Sequence, residues 1–205
     1  MTAGGTGTGR IAILFGPPGS GKGTQASFIA TSFNLAHVST GDVLRAQVER
    51  HTELGREVEP IMEAGLLVPD DLVVRVIQHR LRDPDSHEGF LLDGFPRTLP
   101  QAMALDTMLR NQGMKVDTVI SLEVPRDVLK DRLLKRAAEE GRSDDTPETV
   151  ETRMQVYESE TAPVLDYYEH HNGRVLHIDG VGSIEEVQRR IVDAYLGSSD
   201  NGAAA

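Results

Sequence analysis

The 205-residue sequence contains no cysteine and no tryptophan, and aromatic residues make up only 4% of it. Without cysteine, the chain can form neither a disulfide bond nor a thiolate metal site. No apolar run approaches the ~18 residues that a membrane-spanning helix needs. The first ten residues, MTAGGTGTGR, lack the apolar segment of a signal peptide. We therefore expect a cytoplasmic protein that has no contact with membranes.

Basic charge is also scarce, because 21 lysines and arginines stand against 32 acidic residues and give a net charge of −11. A nucleic-acid-binding protein needs a broad basic surface, so we expect no nucleic-acid partner. An acidic protein can still bind phosphate where a few arginines converge, since guanidinium groups bind phosphoryl oxygens in a bidentate manner. The positions of the arginines therefore matter more than their number.

Short apolar segments alternate with longer amphipathic ones along the chain. The strand-like segments are 10–15, 36–39, 89–95, 118–124 and 173–180. This alternation predicts an α/β fold with a five-stranded parallel sheet flanked by helices on both faces. In such folds the ligands bind beyond the carboxyl ends of the strands, and the polar motifs of this chain follow those ends.

The sequence GPPGSGKGTQ (16–25) directly follows the first strand and opens a helix, as a phosphate-binding P-loop does. Its glycines allow successive backbone N–H groups to point at phosphate oxygens, and the helix N-terminus adds its dipole. Lys22 is expected to reach the β- and γ-phosphates.

One position departs from the usual loop, because Gly23 stands where a magnesium-binding serine or threonine is expected and the hydroxyl follows at Thr24. Direct ligation of Mg²⁺ from that slot is lost, so the ion must keep more of its own water. Asp93, at the end of a neighbouring strand, is the predicted outer-sphere anchor of this hydrated ion. We predict no direct protein ligand to the metal.

Further motifs follow the glycine loop in a fixed order. They are STGDVLR (39–45), GLLVPD (65–70), GFLLDGFPRT (89–98) with Gln101, and GRSDD (141–145) with Arg153. Together with the loop they closely resemble the adenylate kinase family over residues 10–196. The resemblance implies a P-loop fold with a small helical AMP-binding insertion and a short lid. It also implies a monomer that transfers the γ-phosphoryl group of Mg-ATP reversibly to AMP, giving two ADP.

The resemblance divides residues 10–196 into a core, an insertion and a lid, and the Gly/Thr-rich start and the tail GSSDNGAAA predict two flexible ends. The implied boundaries are 10–38 and 69–196 for the core, 39–68 for the AMP-binding insertion, 135–145 for the lid within the core, and 1–9 and 197–205 for flexible tails. Only AAEEG separates Arg136 from Arg142. The chain therefore resembles the short-lid form, which lacks the longer, often zinc-binding, insertion.

The resemblance also implies roles for individual residues. The ATP side comprises Gly19, Ser20, Gly21, Lys22, Gly23, Thr24, Arg136 and Gly182. The AMP side comprises Thr40, Arg45, Leu66, Leu67, Val68, Gly94, Phe95, Pro96, Arg97, Gln101, Arg142 and Arg153. The groups expected around the transferred phosphoryl are Lys22, Asp93, Arg97, Arg132, Arg136, Arg142 and Arg153. Within the AMP set, Thr40 and Gln101 contact the base, and Arg45 and Arg97 bind the phosphate.

Two other interpretations remain open at this point. A UMP/CMP kinase has the same loop and a short lid, but that group tends to have alanine in place of Thr40 and an Asn-containing sequence after DGFPR. The stretch from Thr98 to Gln101 therefore favours AMP. A regulatory module that has lost catalysis should lack Lys22, Asp93 or the lid arginines, and all of these are present.

Overall fold

The structure is a computed structural model that describes residues 10–140, 146–171 and 174–197. It contains a five-stranded parallel sheet with strand order β2-β3-β1-β4-β5. The strands are β1 (Arg10–Phe15), β2 (Ala36–Ser39), β3 (Gly89–Asp93), β4 (Thr118–Glu123) and β5 (Val175–Asp179). All five predicted strands are confirmed. β3 ends two residues earlier than predicted because Gly94, with φ 76°, turns the chain away from the sheet.

Nine α-helices lie in the described part of the chain. They are α1 (Lys22–Phe33), α2 (Thr40–Glu49), α3 (Glu53–Glu63), α4 (Asp70–Arg80), α5 (Leu99–Arg110), α6 (Arg126–Glu140), α7 (Pro147–Val156), α8 (Ala162–His171) and α9 (Ile184–Gly197). A 3₁₀ turn spans Pro84–Glu88 and a π-helical segment spans Tyr157–Thr161. None of these helices is both long enough and apolar enough to span a membrane.

The central strand β1 divides the apolar core in two. Ile11 and Ile13 face one side, where they pack with residues of α2, α3, α4, α5 and α8. Ala12 and Leu14 face the other side, where they pack with residues of α1 and α9. Successive side chains of a strand point to opposite faces, so a strand buried on both sides must be apolar throughout. This arrangement confirms the prediction that helices cover both faces of the sheet.

The parallel strands bring the polar motifs to one edge of the sheet. Ser39 of β2 and Leu14 of β1 both pair with Asp93 of β3, and Asp179 of β5 pairs with Glu123 of β4. The glycine loop, the STGD segment, the DGFPR turn and the GVGS turn all start from this edge. The fold therefore gathers segments that are far apart in sequence around one opening.

The segment after β2 forms a helical pair, as the resemblance implies. Ser39 caps α2 by accepting a hydrogen bond from the N–H of Asp42, and Thr52 caps α3 by accepting one from the N–H of Gly55. Leu44 of α2 and Val58 of α3 are buried in the core. The pair is thus held to the sheet by apolar contacts at the sheet's functional edge.

An apolar stripe predicts a single helix over residues 146–171, bent at Pro163. Its residues are Val150, Met154, Tyr157, Thr161, Leu165 and Tyr168. The structure instead divides this segment into α7, the π-helical segment and α8. The N–H of Ala162 bonds the carbonyl of Tyr157 five residues back, so the irregular turn immediately precedes Pro163. Proline cannot donate a backbone hydrogen bond, which is consistent with a change of hydrogen-bond pattern at this point.

Candidate active site

The functional edge of the sheet opens into a cleft of about 810 Å³. Every residue that the resemblance assigns to the ATP side lines this cleft, and so does the AMP side apart from Phe95 and Arg142. The side chain of Phe95 is buried in the core at 1% exposure. Only its backbone can therefore face a ligand. Arg142, together with residues 141–145 of the predicted lid, lies outside the described residues.

The glycine loop is shaped by its contact with α6. Gly19 has φ 81°, and a Cβ at this position would lie 2.8 Å from the carbonyl oxygen of Leu129 and 2.9 Å from Cγ of Leu133. The N–H of Ser20 bonds the carbonyl of Pro17 at 3.1 Å, which closes the turn before α1 begins. Glycine at position 19 thus allows the loop to pack closely on α6.

Lys22, the first residue of α1, turns its ammonium onto the loop itself. Nζ donates to the carbonyl oxygens of Gly16 at 2.7 Å and Pro17 at 2.8 Å. Although the residue is partly accessible as a whole, burial of the ammonium lowers the pKa of Lys22 to about 7, and Asp93 opposes this effect. The nearby guanidinium groups lower it further; they belong to Arg97, Arg153 and Arg136.

The basic groups around Lys22 have a chemical consequence. Three arginines from three other parts of the chain act electrostatically on Lys22 at the glycine loop. Positive charges that converge in this way favour the binding of an anion such as a polyphosphate. Of the arginines that the sequence predicts for this site, Arg97, Arg136 and Arg153 lie close enough to Lys22 to act on its charge.

Asp93 lies at the end of β3 with 12% of its side chain exposed. Its Oδ2 is 3.4 Å from Nε2 of His37 on the neighbouring strand β2, a contact that the sequence analysis missed. Within the part of the chain that the structure describes, the acidic residues that line the cleft are Asp42 and Asp93. Since Asp42 is paired with Arg45, Asp93 is the carboxylate beside the loop that can serve a hydrated cation.

The donor set fits such a cation. Carboxylate and hydroxyl oxygens are the groups that Mg²⁺ and its water shell prefer, and both Asp93 and the exposed Thr24 border the cleft. Among the described residues, no group of three or more His, Cys, Asp or Glu side chains could hold a metal ion. Binding of Mg²⁺ at this edge would thus draw on nucleotide oxygens and water as well as on Asp93.

The turn after β3 connects residues on two neighbouring strand ends that the sequence predicts for the AMP side. The carbonyl oxygen of Gly94 accepts from the hydroxyl of Thr40 at 2.7 Å and from Nε of Arg97 at 2.8 Å. The hydroxyl hydrogen of Thr40 is therefore used within the protein. Towards a nucleotide, Thr40 can offer only its methyl group and an acceptor lone pair.

Arg45 lines the cleft from α2 and forms an ion pair with Asp42, three residues earlier. Partial burial alone would raise the pKa of Asp42, but the hydrogen bonds from Arg45 and Ser39 outweigh it and hold that pKa below its usual range. A phosphate in the acceptor site would compete with Asp42 for the guanidinium of Arg45.

Two arginines connect the helices to the cleft walls. Nη2 of Arg132 on α6 donates to the carbonyl of Gly180 at 3.1 Å, which ties α6 to the turn after β5. Arg153 on α7 packs against the loop between α3 and α4, since a Cβ on Gly65 would lie 2.9 Å from its Cγ. The predicted ATP-side turn and the predicted AMP-side loop are thus each braced by an arginine.

Two polar residues that sequence patterns do not single out, Asp70 and Thr161, hold predicted residues in place. Gln101 is 1% exposed, and its side chain is bonded to Asp70 through Nε2. The backbone of Arg97 is bonded to the hydroxyl of Thr161. Asp70 belongs to the GLLVPD motif and Thr161 to the apolar stripe, but no spacing rule connects either residue to its partner.

Comparison with known proteins identifies the family. The family model described as adenylate kinase matches residues 14–173. The chain is 47% identical over 182 residues to a protein named adenylate kinase from Stenotrophomonas maltophilia, covering 89% of this chain and 97% of that protein. Proteins of the same name from Corynebacterium urealyticum (47% over 175 residues, 85% and 93% covered) and Leptospira biflexa (47% over 180 residues, 88% and 96% covered) are similarly related. The chain belongs to the adenylate kinase family.

Proposed function

We propose that this protein is an adenylate kinase that moves the γ-phosphoryl group of ATP onto AMP and releases two ADP. The bond from Pγ to the β,γ-bridging oxygen breaks, and a phosphate oxygen of AMP forms the new bond to Pγ. The observation that carries the proposal is that one cleft joins the glycine loop to a second set of arginines, which act electrostatically on Lys22. A site for a single nucleotide would not need this second set.

On the donor side, the backbone amides of residues 19–24 and the N-terminus of α1 hold the phosphates of ATP. Lys22 leaves the carbonyls of Gly16 and Pro17 to contact the β- and γ-phosphates. The turn at Gly182, which has φ 125°, packs on the adenine ring. Arg132 holds this turn through Gly180, so it supports ATP binding from α6.

On the acceptor side, the phosphate of AMP lies between Arg45 and Arg97, and its base lies against the α3–α4 loop. Leu66 is 51% exposed and lines the cleft. An exposed leucine at this position provides an apolar surface on which a purine can pack. The insertion 39–68 accordingly forms the AMP-binding unit on the core of residues 10–38 and 69–196.

During transfer, the arginines neutralise the charge that spreads over the phosphoryl oxygens. Arg136 acts from the ATP side and Arg153 from the AMP side, with Arg132 and Arg142 completing the set. The protein forms no covalent intermediate. It aligns the two phosphates and excludes water, which would otherwise hydrolyse ATP.

We infer that Mg²⁺ is the cofactor and that Asp93 anchors it through its water shell. When bound, the ion would supply positive charge that neutralises the phosphoryl oxygens during transfer. Asp93 would orient the bound waters and, with Lys22, balance the local charge. We also expect a monomer in the cytoplasm, with short tails at residues 1–9 and 197–205 and a short lid within 135–145.

A coupled assay that supplies ATP with AMP, UMP, CMP or GMP tests the proposal. We expect kcat/KM for AMP to exceed that for UMP and CMP by at least ~100-fold, because a pyrimidine leaves a gap and unpaired polar groups in a purine site. The relatives compared above are named adenylate kinase, and the UMP/CMP kinase alternative has no support among them. Equal turnover of AMP and UMP would nevertheless reinstate that alternative.

A further inference from the structure

One carboxylate oxygen outside the cleft accepts two side-chain hydrogen bonds from the acceptor-site turn. Oδ1 of Asp70 accepts from Nε2 of Gln101 at 2.7 Å and from the hydroxyl of Thr98 at 2.9 Å. Asp70 is the first residue of α4 and is 31 residues away from Gln101 in sequence. Gln101 lines the cleft, whereas Asp70 lies behind it and is not among the lining residues.

The side-chain amide of Gln101 is held from both ends. Oε1 accepts from the backbone N–H of Arg97 at 2.8 Å, while Nε2 donates to Asp70. A backbone N–H can only donate, and a carboxylate oxygen accepts. A flipped amide would place oxygen against oxygen and N–H against N–H, so only one orientation satisfies both partners.

This orientation leaves one N–H and one oxygen lone pair of Gln101 for a ligand. Adenine offers a matching edge, with a donor on its exocyclic amino group and an acceptor at the adjacent ring nitrogen. Hypoxanthine and guanine present the reverse order at the same positions, an exocyclic acceptor and a ring N–H donor. For a purine held in one place, the orientation of the amide therefore decides which of the two edges can bind.

We propose that Asp70 is a positioning residue that locks the Gln101 amide and thereby makes the acceptor site select 6-amino purines over 6-keto purines. The inference rests on the proposed function and deepens it, because it explains how a freely rotatable amide is fixed in the one orientation that binds the adenine edge. Without Asp70, the amide could turn to suit either edge at the cost of one hydrogen bond to Arg97. Thr98 shares the carboxylate but does not contact the amide oxygen.

The test compares AMP with IMP, which have the same size and differ at the 6-position and the adjacent ring nitrogen. Asp70→Asn keeps the shape of the side chain but can offer Gln101 either an oxygen or an NH₂ group. We expect the ratio of kcat/KM for AMP to that for IMP to fall roughly tenfold or more. The change should arise from a higher KM for AMP and a lower KM for IMP, while KM for ATP stays the same.

Two control variants separate the lock from charge and stability. Asp71→Asn removes the same charge from the next residue, whose exposed carboxylate lies 3.4 Å from Arg75, and should leave the ratio unchanged. Thr98→Val removes a second hydrogen bond to Asp70 and the cap of α5. It should lower the melting temperature but retain the ratio, because the bond between Asp70 and Gln101 remains.

The outcomes distinguish this inference from the proposed function. Suppose that the unmodified protein prefers AMP but Asp70→Asn leaves the AMP/IMP ratio of kcat/KM unchanged, or lowers kcat/KM equally for both substrates. The proposed role of Asp70 in orienting Gln101 is then overturned, and Asp70 is only structural. If the unmodified protein does not phosphorylate AMP, the proposed function itself is wrong. Should Asp70→Asn fail to fold, Asp70→Ser, which releases the amide to water, must show the same fall in the ratio, and an unchanged ratio overturns the lock.

Discussion

The hydroxyl of Thr161 donates a hydrogen bond to the carbonyl oxygen of Arg97 over 2.8 Å, across 64 residues of sequence. Thr161 is the last residue of the π-helical segment, and Arg97 lies in the turn between β3 and α5. The same helical region bears Arg153 on α7. The π-helical segment therefore links the backbone of Arg97 to the helical region that bears Arg153, and both arginines act on Lys22. We expect this link to help orient Arg97.

We expect Thr161→Val, a change of nearly equal shape, to leave the part-buried carbonyl of Arg97 without its donor. The unfolding free energy should fall by about 1–3 kcal/mol. Because Arg97 would be less well oriented, kcat should fall while KM for ATP changes little. Thr152→Val is the matched control, since the Thr152 hydroxyl makes an exposed bond to Glu148 on α7. Equal losses in both variants, by thermal unfolding and steady-state kinetics, would refute the coupling.

Lys22 should make nucleotide binding depend on pH. Its pKa of about 7 in the free protein lies below the usual lysine value of 10.5, so much of the ammonium has lost its proton at pH 8. Bound phosphate raises this pKa again. Binding of ATP should therefore take up a proton, and its affinity should weaken as the pH rises above 7. Calorimetry in two buffers of different ionisation enthalpy measures this uptake.

The control for this prediction is Lys22→Met, which keeps an apolar stem but has no proton to exchange. The lysine-linked uptake should disappear, and transfer should drop by orders of magnitude while the fold survives. The unfolded chain binds the Lys22 proton up to about pH 10.5, whereas the folded chain releases it near pH 7. Stability of the free protein should thus rise with pH through this window in the unmodified protein relative to Lys22→Met. The same pH dependence of stability in the unmodified protein and in Lys22→Met would contradict the lowered pKa of Lys22.

The parts of the fold that the sequence predicts well are those set by neighbouring residues. The strands are nearly continuous apolar runs that end at polar or glycine residues, so their number and order follow from pattern alone. The glycine loop is likewise local, because its strand, its glycines and Lys22 lie within 16 residues of one another. Features of this kind do not depend on how distant segments of the chain pack together.

The contacts that the sequence does not predict depend on how distant segments align. The bond between Asp70 and Gln101 and the bond between Thr161 and Arg97 span 31 and 64 residues, respectively. The sequence does not predict the π-helical segment for a different reason. The apolar stripe from Val150 to Tyr168 keeps a regular spacing of three and four residues, so periodicity predicts one continuous helix.

Gly19 offers a test of how closely the glycine loop must approach α6. Gly19→Ala places a methyl group against Leu129 and Leu133 in a backbone with positive φ, and we expect ATP affinity to fall by at least ~10-fold. Gly113→Ala is the matched control, because Gly113 has φ 71° but no atom within 4 Å of the added Cβ. Both variants should lose about 1–2 kcal/mol of stability from the strained backbone, but only Gly19→Ala should weaken ATP binding by titration calorimetry.

Removal of metal should affect activity and not the fold. Chelation with EDTA should abolish phosphoryl transfer, and added Mg²⁺ should restore it. The melting temperature of the nucleotide-free protein should stay essentially unchanged, because the ion binds with the nucleotide rather than in a protein cage. Asp93→Asn should raise the Mg²⁺ concentration needed for half-maximal activity. A large drop in melting temperature on chelation would reveal a structural metal site and contradict this interpretation.

Binding of both substrates should close the insertion 39–68 over the cleft. Two nucleotides must enter the opening of about 810 Å³, yet water must be excluded once they are aligned. The loop at Gly65 contacts Thr149 and Arg153 of α7. A phosphate bound by Arg153 would therefore act on the insertion through this contact. A mimic with two adenosines joined by five phosphates should therefore reduce the radius of gyration in small-angle scattering. ATP alone, which fills only the donor side, should cause a smaller change. Identical scattering profiles with and without saturating mimic would exclude closure as the step that keeps water from the transferred phosphoryl group.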